Sequence, residues 1–262
     1  MYQPVLISSG LAGWQFLKST QERQFATFNT SADIKRDTEY FAENIGKVRT
    51  ASDLVSDRRM LSVALGAFGL QGDIDNTFFI QKMLSEGTTA TDALANRFTD
   101  KRYRAFSAAF GLGPGERLST QAPEFAQQII EGFQANRFEV LVGNQDETMR
   151  IALYAERTIG DVAGGSGSEA QKWFSIMGQP PLRTLFETAF GLPTGFGQID
   201  IDRQLEVFRE KSIDFFGTSD PATLVNPDNL NRLLTTFIVQ SQLNDIDASA
   251  SGAAVALALL QS

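Results

Sequence analysis

An all-α fold, a multi-helix bundle-like body, is predicted by three observations. Apolar residues recur at three- and four-residue spacing, no alternating run is long enough to argue for a sheet, and glycines close apolar helical patterns at Gly69, Gly111 and Gly191. The three glycines belong to one tetrapeptide, Ala-Phe-Gly-Leu, which begins at Ala67, Ala109 and Ala189. A helix that ends in Gly with an apolar residue beyond it has the pattern of a Schellman or αL cap. Gly enters the left-handed region without steric cost, and the Leu folds back onto the last turn. Nothing in the motif is nucleophilic, ionisable or metal-ligating, so it is read as a packing device, with Phe68, Phe110 and Phe190 expected to be buried.

The elements follow in chain order. Trp14, Leu17, Gln21, Gln24 and Phe28 lie along one helical stripe. Ser31-Ala32-Asp33 can cap a second helix containing Ile34, Tyr40, Phe41 and Ile45, which makes residues 1–49 a helical hairpin. Leu61, Leu65 and Phe68 line the helix that ends at the first tetrapeptide, and a helix from Asp75 to Leu84 follows it. Asp100 to Arg104 leads into the second copy. Pro180-Pro181 leads into the third, where Leu182, Phe186 and Ala189 share a face, and Asp202 to Phe208 begins the helix after it. Similar helices around the first and third copies suggest an internal duplication, with related halves at 50–117 and 170–243 and joining helices at 123–162. The copies are too irregularly spaced for a solenoid.

Ala163-Gly164-Gly165-Ser166-Gly167-Ser168 is the most flexible composition and is expected to separate the halves, giving 1–49, 50–162 and 163–262 as domains. Asn229 to Leu243 is helical, with Leu230, Leu233, Leu234 and Phe237 on one side, and beyond it Ser249-Ala250-Ser251-Gly252 leads to the apolar tail Ala253 to Leu260.

Composition excludes several functions. The 262 residues contain neither Cys nor His, which removes thiol nucleophiles, disulfides, Ser-His-Asp triads and histidine-ligated metals. A net charge of −8, from 31 acidic and 23 basic residues without a basic block, argues against a nucleic-acid partner. The amino terminus lacks the basic start and apolar run of a signal peptide. The tail from Ala253 to Leu260 is far shorter than the roughly 20 residues of a membrane helix, so neither Sec secretion nor a membrane span is expected.

Acidic pairs occur at Asp73/Asp75, Asp200/Asp202 and Asp245/Asp247, and none has the ligand pattern of a calcium loop. Helix N-termini already favour acids, so Asp75 and Asp202 need no ion. Neither the 163–168 loop nor Gly111-Leu112-Gly113-Pro114-Gly115 carries the Lys-Ser or Lys-Thr of a phosphate-binding loop. No cofactor, metal or catalytic residue is expected. Arg58-Arg59 and Lys101-Arg102 stand at helix starts, against the macrodipole, and are read as salt-bridged corners offset by Asp57 and Asp100. The aromatic excess is 21 Phe against 2 Trp and 4 Tyr, which suits a core or an apolar contact surface better than a sugar site. A protein partner is therefore expected at an apolar surface where the N-terminal hairpin meets the C-terminal helix, with Trp14, Phe28, Leu230 and Phe237 as its residues.

The segments Arg36-Asp37-Thr38-Glu39-Tyr40-Phe41, Asp53 to Leu61, Ala67-Phe68-Gly69-Leu70 and Ala95 to Tyr103 resemble the bacterial domain of unknown function numbered twelve-seventeen. The resemblance is specific in the first half of the chain and looser in the second. It implies no established activity and no catalytic residue. Members are often encoded among flagellar and motility genes, so the resemblance implies a non-enzymatic interaction protein of flagellar assembly or motility, in the cytoplasm or exported to the flagellum by a non-Sec route. The alternatives are an exported flagellar structural component and a small-molecule enzyme working through carboxylates.

Overall fold

The computed structural model describes the backbone of residues 2–260 and the side chains of residues 2–246. Among the described residues the regular structure is wholly helical. The chain divides into two units, residues 1–5 with 20–142 and residues 6–19 with 143–262. Helix α1 (Gly10–Asn29) contributes its second half to the first unit. That unit continues with α2 (Ala32–Asn44), α3 (Ala51–Ser56), α4 (Arg58–Ala67), α5 (Thr77–Glu86), α6 (Leu94–Arg97), α7 (Lys101–Phe110) and α8 (Phe125–Gly143). The second unit takes the first half of α1 and adds α9 (Glu147–Gly164), α10 (Glu169–Met177), α11 (Pro180–Ala189), α12 (Ile201–Phe216) and α13 (Pro227–Leu260).

All three tetrapeptides end helices through a left-handed glycine, at φ 70° for Gly69, 62° for Gly111 and 64° for Gly191. The first and third are Schellman caps. Leu70 N–H donates to the Leu65 carbonyl at 2.9 Å and Leu192 N–H to the Glu187 carbonyl at 2.8 Å, closing the six-residue ring. The second is the simpler αL cap, in which Gly111 N–H donates to Ser107 at 3.1 Å while the Phe110 carbonyl accepts from Ser119 N–H instead. Phe110 and Phe190 are buried as expected, whereas Phe68 is only half-buried. The shared device is a helix end. The copies lead to a 3-10 turn at Gln71–Asp73, an irregular loop at 112–124 and a 3-10 turn at Phe196–Gln198, and the fold does not show the two-half duplication inferred from them.

In the first unit Phe41, Leu54, Leu61, Leu65, Phe106 and Phe110 are fully buried. Each contributes about 1.5–3 kcal/mol of transfer free energy. The basic corners have partners. Asp57 caps α4 by accepting from Arg59 and Met60 N–H at 3.0 Å, and it also accepts the Tyr40 hydroxyl at 2.6 Å. Partial burial pulls the Asp57 carboxyl upward, but the Tyr40 hydroxyl, the two N–H donors and the Arg59 charge outweigh it and hold the group below the ordinary carboxylate range. Arg59 in turn binds Asp37 at 3.0 Å and lies over the Tyr40 ring. Arg102 pairs with Asp100 at 2.6 Å and donates to the Gly69 carbonyl at 2.7 Å, so one guanidinium ties the start of α7 to the end of α4.

The second unit is built around Trp173. Its ring lies edge-on to Phe186 and Phe208, at centroid distances of 5.3 and 5.5 Å, and its indole N–H reaches the Ser219 carbonyl at 2.8 Å. Leu233, Leu234, Phe237 and Ile238 pack the first turns of α13 onto the same body. Arg209 binds Glu169 through both carboxylate oxygens, joining α12 to α10.

The domain boundaries fall elsewhere than expected. Residues 163–168 do not divide the chain: α9 runs to Gly164, Ser168 and Gln171 form a capping box, and both flanking helices belong to the second unit. The amino-terminal hairpin does not stand apart either, since α1 is shared between the units. Ser31 occupies the N-cap position of α2, yet its hydroxyl donates at 2.6 Å to the Phe28 carbonyl and closes α1 instead.

Candidate interaction groove

A groove of about 610 Å³ opens in the first unit between the ends of α4 and α7, the 117–123 segment and the start of α8. Its floor combines Ala67, Phe68, Ala109, Ile129 and Gly132. Small residues bring the helices together: a Cβ on Gly132 would lie 3.2 Å from the Ala67 carbonyl, so α8 passes close to the end of α4. Asn136, one turn on, donates to that same carbonyl at 2.8 Å and satisfies it in a buried place. The Phe68 ring stands edge-on to fully buried Phe106 at 5.4 Å, and Phe125 packs on Phe110 at 5.1 Å. One aromatic face is thereby left toward the groove, on a rigid support.

The 111–124 loop that forms the wall is tied at several points. Glu116 accepts from Thr88 N–H at 2.5 Å, from the Thr88 hydroxyl at 2.7 Å and from Gly113 N–H at 3.1 Å. Gly87 and Gly113 abut, for a Cβ on Gly87 would sit 2.8 Å from the Gly113 Cα. Buried Thr120 donates to the Val48 carbonyl at 2.7 Å. Arg117 and Glu124 stand exposed on the rim, and neither is ion-paired with another described residue. The groove thus combines an apolar floor with one cation and one anion at its edge that have no ion-pair partner among the described residues.

The four residues expected to make a partner surface lie elsewhere. Trp14, Phe28 and Phe237 are 4%, 1% and 1% exposed, and Leu230 is half-buried. Phe28 belongs to the first unit, where it packs on Phe138 at 5.7 Å, while Trp14, Leu230 and Phe237 belong to the second. Three of them close cores and present no ring to a partner as the chain is folded. The sequence does not reveal the groove, because Phe68 carries the same cap pattern as buried Phe110 and Phe190. The available signal was chemical: Phe68 is one of three identical caps, and periodicity does not reveal which copy faces solvent.

Three of the paired acids, Asp73, Asp75 and Asp200, are engaged within the fold. Asp73 accepts the Tyr103 hydroxyl at 2.5 Å, Asp75 binds Arg58 at 2.7 Å, and Asp200 caps α12 through Asp202 and Arg203 N–H. Burial, then the Asp73 carboxylate, push the Tyr103 hydroxyl far above the ordinary phenol range. The Asp247 side chain lies outside the described residues. Among the described residues, no group of three acids is placed to hold a metal ion, and no helix is long and apolar enough to cross a membrane.

Comparison with known proteins places these features in a family. Residues 67–224 match the family described as "Protein of unknown function (DUF1217)", and the chain belongs to it. The match begins at the first tetrapeptide, so the Arg36–Phe41 and Asp53–Leu61 segments precede it. The fold is also similar to the crystal structure of a protein from Agrobacterium tumefaciens, with a TM-score of 0.74 and 25% sequence identity, over 92% of this chain and 97% of that one.

Proposed function

We propose that this DUF1217 protein is a non-enzymatic interaction protein of flagellar assembly or motility, and that the groove of its first unit holds the apolar face of a partner helix from a flagellar component. The groove itself carries the reading: an apolar floor with rim charges left unpaired suits i, i+3, i+4 anchors of an amphipathic helix. A small-molecule site of similar volume would bring polar groups to converge on the floor, where this one presents Ala67, Phe68, Ala109, Ile129 and Gly132. The missing His and Cys, and carboxylates already used in caps and ion pairs, support a role without catalysis. The flagellar context comes from the resemblance, and the acidic composition suits a cytoplasmic helper before a non-Sec export step.

Filling the groove tests this. Ala109→Trp, and separately Gln128→Trp on the exposed side of α8, place an indole in the groove without emptying a core. Swimming in soft agar and co-purification of flagellar structural proteins should both be lost, with the thermal midpoint of the purified protein unchanged. Normal swimming by both folded variants refutes the groove reading.

A further inference from the structure

The first unit holds a second cleft, of about 140 Å³, that is lined by Asp33, Asp37, Ser62, Gln71, Asn136 and Arg137 and is polar where the groove is apolar. Three helices build it, each with one face. Asp33 and Asp37 stand one turn apart on α2, and Ser62 and Gly66 one turn apart on α4. Phe133, Asn136, Arg137 and Val140 follow the i, i+3, i+4, i+7 spacing of one face of α8. Gly66 lets α8 come close, for a Cβ there would lie 2.7 Å from the buried Phe133 ring.

The charges that line this cleft do not meet. Arg137 is half-buried, and its side chain makes no ion pair or hydrogen bond with another described residue although two carboxylates line the same space. Asp37 is turned to Arg59 at 3.0 Å and Arg36 at 3.3 Å, while Asp33 has no ion-pair partner among the described residues. A half-buried guanidinium bears the cost of its lost water until an acceptor faces it. Asn136 gives both amide N–H groups to the Ala67 and Gly132 carbonyls, at 2.8 and 3.2 Å, so only its oxygen is left to meet a ligand.

With Asp37 answered by Arg59, the cleft is left with one positive and one negative group, Arg137 and Asp33. A simple anion would meet Asp33 and a simple cation would meet Arg137, whereas a ligand that carries both charges can satisfy both. We propose that this cleft binds a small zwitterionic amino acid, with its carboxylate on the Arg137 guanidinium and its ammonium on the Asp33 carboxylate and the Asn136 oxygen. The planar guanidinium fork matches a carboxylate through two parallel hydrogen bonds, and an ammonium has N–H donors for both acceptors. The space equals the liquid volume of roughly five waters at about 30 Å³ each, so the ligand has few non-hydrogen atoms and no bulky side chain. None of these residues lines the groove, and the two readings stand or fall separately.

Isothermal titration calorimetry of the full chain with glycine, β-alanine and 4-aminobutyrate, which set the two charges progressively further apart, tests the proposal. At least one should bind saturably with a Kd below about 1 mM. Acetate, methylammonium and glycine betaine lack the cation, the anion and the N–H donors in turn, and each should bind at least about tenfold more weakly. Arg137→Gln and, separately, Asp33→Asn should weaken the bound amino acid by at least about tenfold with the near-ultraviolet circular dichroism of the wild type retained. Lys35→Gln, exposed on α2 outside the cleft, should leave binding unchanged. The ligand panel on the wild type decides the matter even where a variant is unstable. No saturable binding of the three amino acids, acetate or methylammonium binding as tightly as they do, or unaltered binding by folded Arg137→Gln or Asp33→Asn each overturns the proposal.

Discussion

Two glycines in the same motif differ in what they must avoid. Gly191 adopts φ 64° and a Cβ there would meet open space, so the cost of Gly191→Ala is left-handed strain, about 1–2 kcal/mol. Gly111 has the same backbone need, and its Cβ would also collide with the Arg117 carbonyl oxygen. Gly111→Ala must therefore displace the 111–124 loop and should cost clearly more. The Phe before each glycine separates in the same way. Phe110→Ala leaves a cavity against Phe106 and Phe125 and should cost about 3–5 kcal/mol, whereas half-buried Phe68→Ala should cost less. Urea unfolding of the four variants gives the order, and equal losses at Gly111 and Gly191 would show that the loop yields freely.

Helix ends were the most legible elements because capping is local. The Gly of each tetrapeptide and the Pro180-Pro181 start can be read from a few adjacent residues, and the structure places them at helix ends, while Asp57 and Asp100, expected only to offset the basic helix starts, are the N-caps of α4 and α7. Ser31 shows the limit, since its hydroxyl serves the helix before it. The division into units was not legible: residues 163–168 have a linker's composition but sit within a unit, and the boundary at Val142–Gly143 has no such composition. The groove was equally hidden, because its floor joins Ala67 to Gly132 and Ile129 across a long stretch of chain. The Asp57 cap makes a prediction at this scale. Its folded-state pKa lies below the unfolded value near 3.9, so its stabilisation is present above that value and is lost as pH falls through the folded pKa. The melting temperature of the wild type should fall more steeply below about pH 4 than that of Asp57→Asn, which starts lower at neutral pH. Parallel pH profiles for the two proteins would remove the cap from the acid response.

At the scale of the whole molecule, the chain passes between the two units three times, after Val5, after Ser19 and after Val142, and the second passage lies inside α1. A helix propagates cooperatively, so melting either half of α1 exposes an unpaired turn in the other. The second unit takes Trp14 and Leu17 from the amino-terminal segment, both buried, and a fragment of residues 143–262 would lose them and leave their contacts open. Unfolding of one unit should thus carry the other with it, despite their separate cores. The two tryptophans make this measurable: Trp14 and Trp173 are both in the second unit, while three of the four tyrosines, Tyr2, Tyr40 and Tyr103, are in the first. In a urea titration, tryptophan emission should report the second unit and far-ultraviolet circular dichroism the helices of both. The expected outcome is one shared midpoint and slope. A tryptophan transition clearly earlier or later than the loss of helix would mean that α1 frays at Ser19–Thr20 and that the units melt independently.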